Sequence, residues 1–244
     1  VGCLKDCCKA ARVSPELSKM PVSLGIRGMD GSSHMIEASR MMAGQFELWN
    51  SIGAREWPPS SVSLTHAHLG HTDGLGLFGR EVMGASGVIV HCSPSMGDLL
   101  NTTPSWSAMI DQGVIIPKFW SSMEPFEPTA SCGFTITAVP VPHRSELSDN
   151  HALIIRGKKK SLLFMPDQDS WSETLEEGMG ILDWLEGMSV DIALIDGTFW
   201  NYDEISSRDV SKIPHPTVVE TLEMLGNRRP GDPKISFFHF NHTN

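Results

Sequence analysis

Ser61-Val62-Ser63-Leu64-Thr65-His66-Ala67-His68-Leu69-Gly70-His71-Thr72-Asp73-Gly74 decides how the rest of the chain is read, because an apolar run breaks off there into three histidines within six positions. Alternate residues of a strand face the same side, so at a strand's exit His66 and His68 can present both imidazoles to one cation. His71 follows from the next turn. Imidazole suits zinc, iron, nickel and copper, and three neutral histidines with an open fourth position are a catalytic zinc arrangement. The competing reading is a His-rich surface loop without a metal. The density of the cluster, directly after a buried-looking strand, favours the metal centre.

The surrounding chain has 244 residues, 40% of them apolar and 20% charged, the composition of an ordinary soluble globular protein. That length predicts one large domain over residues 1–244, since strand and helix signals alternate without a long polar linker. A formal charge of −10 argues against adhesion to nucleic acid or to an anionic membrane, both of which depend on excess Lys and Arg. There is no uninterrupted apolar run of membrane-spanning length and no secretory leader pattern, so the expectation is a cytoplasmic protein acting on a small molecule, with a homodimer compatible. The chain begins at Val1 and stops just after a motif, consistent with a fragment truncated at its C-terminus.

Five cysteines, an odd number, fit a reduced compartment better than a disulfide framework. Cys3, Cys7 and Cys8 crowd the first eight positions and can hold a structural zinc given a fourth ligand, or they are incidental thiols of a mobile terminus. Cys92 and Cys132 read as small core residues.

Outward from the histidines, residues 21–28 and 34–39 read as two strands joined at Asp30-Gly31, with His34 a plain strand residue. Met42, Phe46 and Trp49 share one face of a helix over 41–51. After the histidines, residues 75–83 predict a helix packed beneath them. Its start, Gly74-Leu75-Gly76-Leu77-Phe78-Gly79, matches GxGxxG, but no strand immediately precedes it, and close packing explains the glycines better than dinucleotide binding. A strand over 88–91, a helix from near Ser95, and a strand over 133–141 follow. His91 reads as structural. Residues 152–169 predict a hairpin with its lysine run at the tip, residues 171–188 a helix broken near Gly178 and Gly180, and residues 191–196, 217–225 and 234–238 a strand, a helix and a strand.

Strand exits thus deliver His66, His68, His143, Asp167, Asp196 and His239, and such repeated delivery to one edge is what a metal centre requires. His143 is a further ligand or an exposed loop residue. Asp167 reaches a cation or caps the helix that follows, and Asp169 also suits that cap.

The ordered set His66-Ala67-His68-Leu69-Gly70-His71, then His143, Asp167 and His239, resembles the metallo-β-lactamase fold family over most of the chain. Asp196-Gly197-Thr198-Phe199-Trp200, Pro214-His215-Pro216 and the closing His239-Phe240-Asn241-His242-Thr243-Asn244 most resemble its pyrroloquinoline quinone biosynthesis protein B branch. Phosphodiesterases of phosphonate breakdown and tRNA 3′-processing endonucleases look like neighbours. The resemblance implies an α/β fold of four layers, an αββα sandwich with metals at the sheet edge. It also implies that His66, His68 and His143 hold a first metal, His71 and His239 a second, and Asp167 bridges them. The family pattern has Asp where this chain has Gly70, which weakens the second position; Asp73, two residues beyond His71, is the candidate to compensate. Some relatives tie an N-terminal cysteine cluster to the closing motif through a structural zinc. Here that implies Cys3, Cys8 and His242, with Cys7 in place of the cysteine that Lys5 displaces.

The function so implied is a metal-dependent hydrolase of a phosphodiester or similar ester, with zinc, or else manganese or iron. His215 matches a histidine that contacts the transferred phosphate in the endonucleases, which makes it the general acid. The alternative is an iron-dependent oxidative enzyme of cofactor biosynthesis, and a non-catalytic binding module is a third reading. Retention of three histidines in the first motif favours hydrolysis.

Overall fold

The structure, a computed structural model, describes residues 2–53, 57–204 and 213–243. Val1 and the final Asn244 of the closing motif lie outside them. The first sheet comprises β1 (Leu24–Arg27), β2 (Ser33–Ile36), β3 (Ser61–Ser63), β4 (Val88–Cys92) and β5 (Ile115–Phe119), in that order. Only β1 runs antiparallel to its neighbour. The second sheet has the order β11-β10-β9-β8-β7-β6, from β6 (Pro125–Phe126), β7 (Thr135–Pro140), β8 (His151–Arg156), β9 (Ser161–Met165), β10 (Ile192–Asp196) and β11 (Lys234–Phe238). Its last three strands are parallel.

Side-chain alternation sorts the core into layers. On β8, Leu153 and Ile155 point inward with Phe164 of β9 and Ile136 of β7, meeting Ile36 of β2 and Trp120 between the sheets. Their neighbours Ile154 and Leu163 point outward with Ala193 and Ile195, under Trp171, Ile181, Leu185 and Leu225. Those four come from α6 (Trp171–Thr174), α7 (Ile181–Gly187) and α8 (Val218–Leu225). Val62 and Val90 of the first sheet pack outward on Phe46, Met96 and Leu100, from α2 (Met42–Ser51) and α4 (Pro94–Thr102). The result is the expected αββα sandwich, helices outside and two sheets within.

Local signals account for the helix starts. The Ser93 side chain accepts from Met96 N ahead of Pro94, and Thr217 and Glu220 form a reciprocal capping box. The stretch after the histidines departs from expectation. Instead of a helix over 75–83 the chain makes a short turn, α3 (Leu69–Thr72), then a 3-10 segment over Asp73–Phe78 and turns beyond it. The glycines are the reason: a Cβ on Gly74 would lie 2.1 Å from the Ser39 carbonyl oxygen, so the chain is pressed against residues 38–39 at a distance an ordinary side chain forbids. The break between residues 174 and 181 falls where Gly178 and Gly180 predict it. α1 (Asp6–Val13), which carries Cys7 and Cys8, and α5 (Pro104–Asp111) complete the α-helices of the described residues.

Candidate metal centre

The C-terminal ends of β2, β3, β7, β9, β10 and β11 converge on one edge, and each brings a polar residue. Directly after β2, Glu37 is wholly buried with a left-handed φ of 65°. Its Oε1 accepts from the Thr65 hydroxyl at 2.5 Å and lies 3.4 Å from His71 Nδ1. Thr65 Oγ1 is also 2.9 Å from His66 Nδ1. A hydroxyl has one proton, here given to the carboxylate, so His66 Nδ1–H donates to Thr65 and the lone pair of His66 Nε2 faces the centre. On the second sheet, Asp167 follows β9 and is nearly fully buried. His143 follows β7, its Nδ1 donating to Asp169 Oδ1 at 2.9 Å, which turns its Nε2 inward. Asn150 Nδ2 donates to both the Asp167 and Val141 carbonyls, pinning these two strand exits together. His239, after β11, again has a left-handed φ, 58°, and its Nδ1 is 3.1 Å from Thr198 Oγ1. Non-glycine residues in this region are uncommon, and two of them flank one site.

The sequence-predicted residues meet. His66 Nε2 and His68 Nδ1 stand 2.9 Å apart, and His66, His68 and His143 offer ligand atoms within 4.8 Å of one another. His71 Nε2 lies 3.1 Å from Asp167 Oδ2, while His143 Nε2 and His239 Nδ1 are each 3.7 Å from Asp167 Oδ1. His215 joins them: its Nδ1 donates to the buried Asp196 at 2.7 Å and lies 3.9 Å from Asp167. Asp73 is not brought to the centre. Its carboxylate pairs with Arg40 at 2.8 Å. At the chain ends, Cys3, Cys8 and His242 lie within ligand distance of one another, with Cys8 Sγ 3.3 Å from His242 Nδ1. Cys7 is adjacent rather than convergent, its Sγ 4.0 Å from Cys8 Sγ and 3.7 Å from the His242 carbonyl. His34 and His91 are satisfied core histidines, bonded to Ser32 and Ser61 and to the Pro128 carbonyl.

Charge divides the centre in two. Burial holds His66 well below the usual imidazole range, and lowers His143 and, with Arg144 contributing, His68. Burial would also lower His71, but the carboxylates of Asp167 and Glu37 outweigh it and push its pKa up to about 10. Burial would raise Asp167, yet the surrounding His239 and His71 hold it well below the carboxylate range. Among the described residues, the buried Asp167 carboxylate is paired only with histidines, and a buried anion so placed makes a site suited to positive charge.

The donor set fits a metal. His143 Nε2 is buried without a hydrogen-bond partner, 3.7 Å from Asp167 Oδ1, which a folded protein tolerates poorly unless something else fills the role. Nitrogen and carboxylate oxygen donors backed by second partners such as Asp169 and Thr65 are what zinc-type cations take.

Residues 35–240 match the family model described as the beta-lactamase superfamily domain, and the chain belongs to that family. No curated protein matches the chain by sequence. Among solved structures, Zn(2+)-bound PqqB from Methylobacterium extorquens is similar over 100% of this chain and 84% of its own, with 18% identity and a TM-score of 0.75. A diphosphatase of the PhnP family is similar over 100% and 81%, at 15% identity and a TM-score of 0.64. YhfI from Bacillus subtilis, a metallo-beta-lactamase fold protein, is similar over 93% and 82%, at 12% and 0.59. At these identities the likeness is one of fold. A metal cofactor in the His/Asp centre agrees with both the family and the geometry.

Sequence reasoning overlooked Glu37 and misread Asp169 as a helix cap; Ser170 takes that role, its side chain accepting from Glu173 N. Asp196 was visible as a strand exit, but its bond to His215 was not. Glu146, 3.3 Å from His68 Nε2, carries no signal in the sequence beyond its charge.

No helix among the described residues is long and apolar enough to cross a membrane.

Proposed function

We propose that the protein is a zinc-dependent hydrolase of a phosphodiester or related ester. The observation that carries this reading is the His215–Asp196 pair beside Asp167. Burial would lower the His215 pKa, but the Asp196 carboxylate outweighs it and raises it, so the imidazolium persists towards neutral pH. With Nδ1 held by Asp196, the proton free to leave is the one on Nε2, and the leaving alkoxide is the group that needs it. Asp196 is fixed in turn by the Thr198 and Gln168 amides, so the acid is oriented before substrate arrives.

His66, His68 and His143 would hold the metal, which when bound would supply a water ionised near neutral pH and polarise the scissile oxygen. The chain's own residues do the rest. Asp167, kept ionised, accepts a hydrogen bond from the attacking water and aligns it. Thr65 and Asp169 fix the rings of His66 and His143, so the centre does not reorganise during the reaction.

Elemental analysis of protein purified without added metal, paired with assays on bis(4-nitrophenyl) phosphate, tests the reading. Zinc with diester hydrolysis is expected. Iron, with oxygen consumption and no hydrolysis, would overturn it in favour of the oxidative alternative.

A further inference from the structure

His66, His68 and His143 bring ligand atoms to the first metal position, and a ring can ligate only through a nitrogen that carries no proton. Its proton must therefore be held on the other nitrogen. For two of the three the partner is plain. Thr65 Oγ1, its own proton given to Glu37, accepts from His66 Nδ1, and Asp169 Oδ1 accepts from His143 Nδ1. His68 is placed differently. Its Nδ1 lies 2.9 Å from His66 Nε2, whose lone pair faces the centre, and its Nε2 lies 3.3 Å from Glu146 Oε1. A neutral imidazole has one proton, so two acceptors compete for it, His66 on the metal side and Glu146 on the other. Given to His66, the proton occupies the nitrogen that a cation needs. Given to Glu146, it leaves His68 Nδ1 and His66 Nε2 as two facing lone pairs, an arrangement that a bound cation relieves.

We propose that Glu146 is a positioning residue for the first metal position: it accepts the Nε2 proton of His68 and so keeps the Nδ1 lone pair available to the cation. The inference rests on the metal-centre reading and is independent of the reaction the centre performs. The segment between β7 and β8 that carries Glu146 is fastened on both sides of it. The Arg144 amide donates to Asp169 Oδ1 at 3.3 Å, and the Ser93 and Ser95 hydroxyls donate to Asp149 Oδ1. An anchored segment thus presents the carboxylate to His68. The Glu146 side chain is 54% exposed, and a pair so open to water adds little to folding. Its effect lies in the choice of ring nitrogen, because the two neutral forms of an imidazole differ only in which nitrogen holds the proton.

Proton–nitrogen correlation spectra of the imidazole rings in the metal-free full chain, which report the nitrogen that carries the proton, test this directly. Glu146→Ala should shift the His68 proton from Nε2 towards Nδ1, whereas Glu146→Gln, whose amide oxygen can still accept, should leave it on Nε2. Zinc affinity at the first position, measured by competition with a calibrated chelator, should fall about tenfold in Glu146→Ala and stay within about threefold of the unmodified protein in Glu146→Gln. The metal-free Tm should be the same in all three proteins. An unmoved proton with unchanged zinc affinity in Glu146→Ala overturns the assignment, as does an equal loss of affinity in both variants. A loss of affinity accompanied by a lower metal-free Tm and an unmoved proton makes Glu146 a structural residue and overturns it too. If the unmodified protein binds no zinc at these histidines, the metal centre itself falls and the role of Glu146 with it.

Discussion

The two halves of the centre hold similar ligands in opposite electrostatic states. On one side His66, His68 and His143 are imidazoles that burial keeps neutral, and on the other His71 is kept protonated by Asp167 and Glu37. The first half can accept a cation without giving up a proton. The second already contains its cation, in the form of the proton on His71, and a metal must displace it. Ring contacts alone would not reveal this difference, since His66 lies within 4.3 Å of the His71 ring and 5.4 Å of the His143 ring.

The harshest way to break the comparison is to remove a ligand from the neutral half. His68→Ala should abolish metal binding at the first position and lower hydrolysis by about 10³-fold, the rate equivalent of several kcal/mol of lost electrophilic assistance. Elemental analysis should show the second position still able to load. Retained activity with one metal per chain would mean that the second half alone performs the chemistry.

Next in size is His215→Gln, expected to lower kcat by about 10²-fold for substrates with poor leaving groups. For 4-nitrophenolate, which leaves without a proton, the loss should be much smaller. An equal loss for both would make His215 a structural residue rather than an acid.

The pH dependence of loading separates the halves without mutation. His71 has its pKa raised to about 10, so below that pH a metal competes with its proton. Affinity at the second position should therefore climb about tenfold per pH unit from 7 to 9. The first position, whose histidines are held below their ordinary values, has no proton to lose there and should stay flat. Competition with a calibrated chelator measures both, and parallel slopes would show that the charge division is wrong.

What the sequence displayed and what it concealed follow the same division. His66, His68, His71, His143, Asp167 and His239 were legible because a strand exit after an apolar run is a local pattern. Glu37 was not: it is one acid after Ile36, and only the left-handed turn that sends it inward, and its distance to His71, reveal its part. Asp169 was seen but assigned to a helix start, since a short polar side chain before a helix reads the same whether it caps or orients a histidine. The strand β5 carries Pro117 and exposed residues at an edge, and β6 has two residues, so neither makes a pattern. The helix expected over 75–83 failed because hydrophobic spacing cannot register the backbone approach at Gly74.

A smaller effect should come from the chain ends. His242 is three residues beyond His239, and Cys8 lies against it, so Cys8→Ser should lower Tm by a few degrees, as loss of a structural metal ligand weakens folding. Loading of the second position should fall with it, through His239, while the first is spared. An unchanged Tm with unchanged metal content would remove the cysteine cluster from any structural role.

The smallest expected effect bears most directly on why the halves differ. Gly70 leaves the second position without its non-bridging carboxylate, and Asp73, the nearest candidate to replace it, is committed to Arg40. Gly70→Asp introduces a side chain where nothing stands within 4 Å, so the fold has room for it. A second carboxylate would offset more of the incoming metal's charge, and occupancy of the second position at neutral pH should rise several-fold. Restoring the aspartate should therefore raise occupancy of the second position and activity together. Equal, tight occupancy of both positions in the unmodified protein would refute this, because the second half would then have no deficit for aspartate to correct.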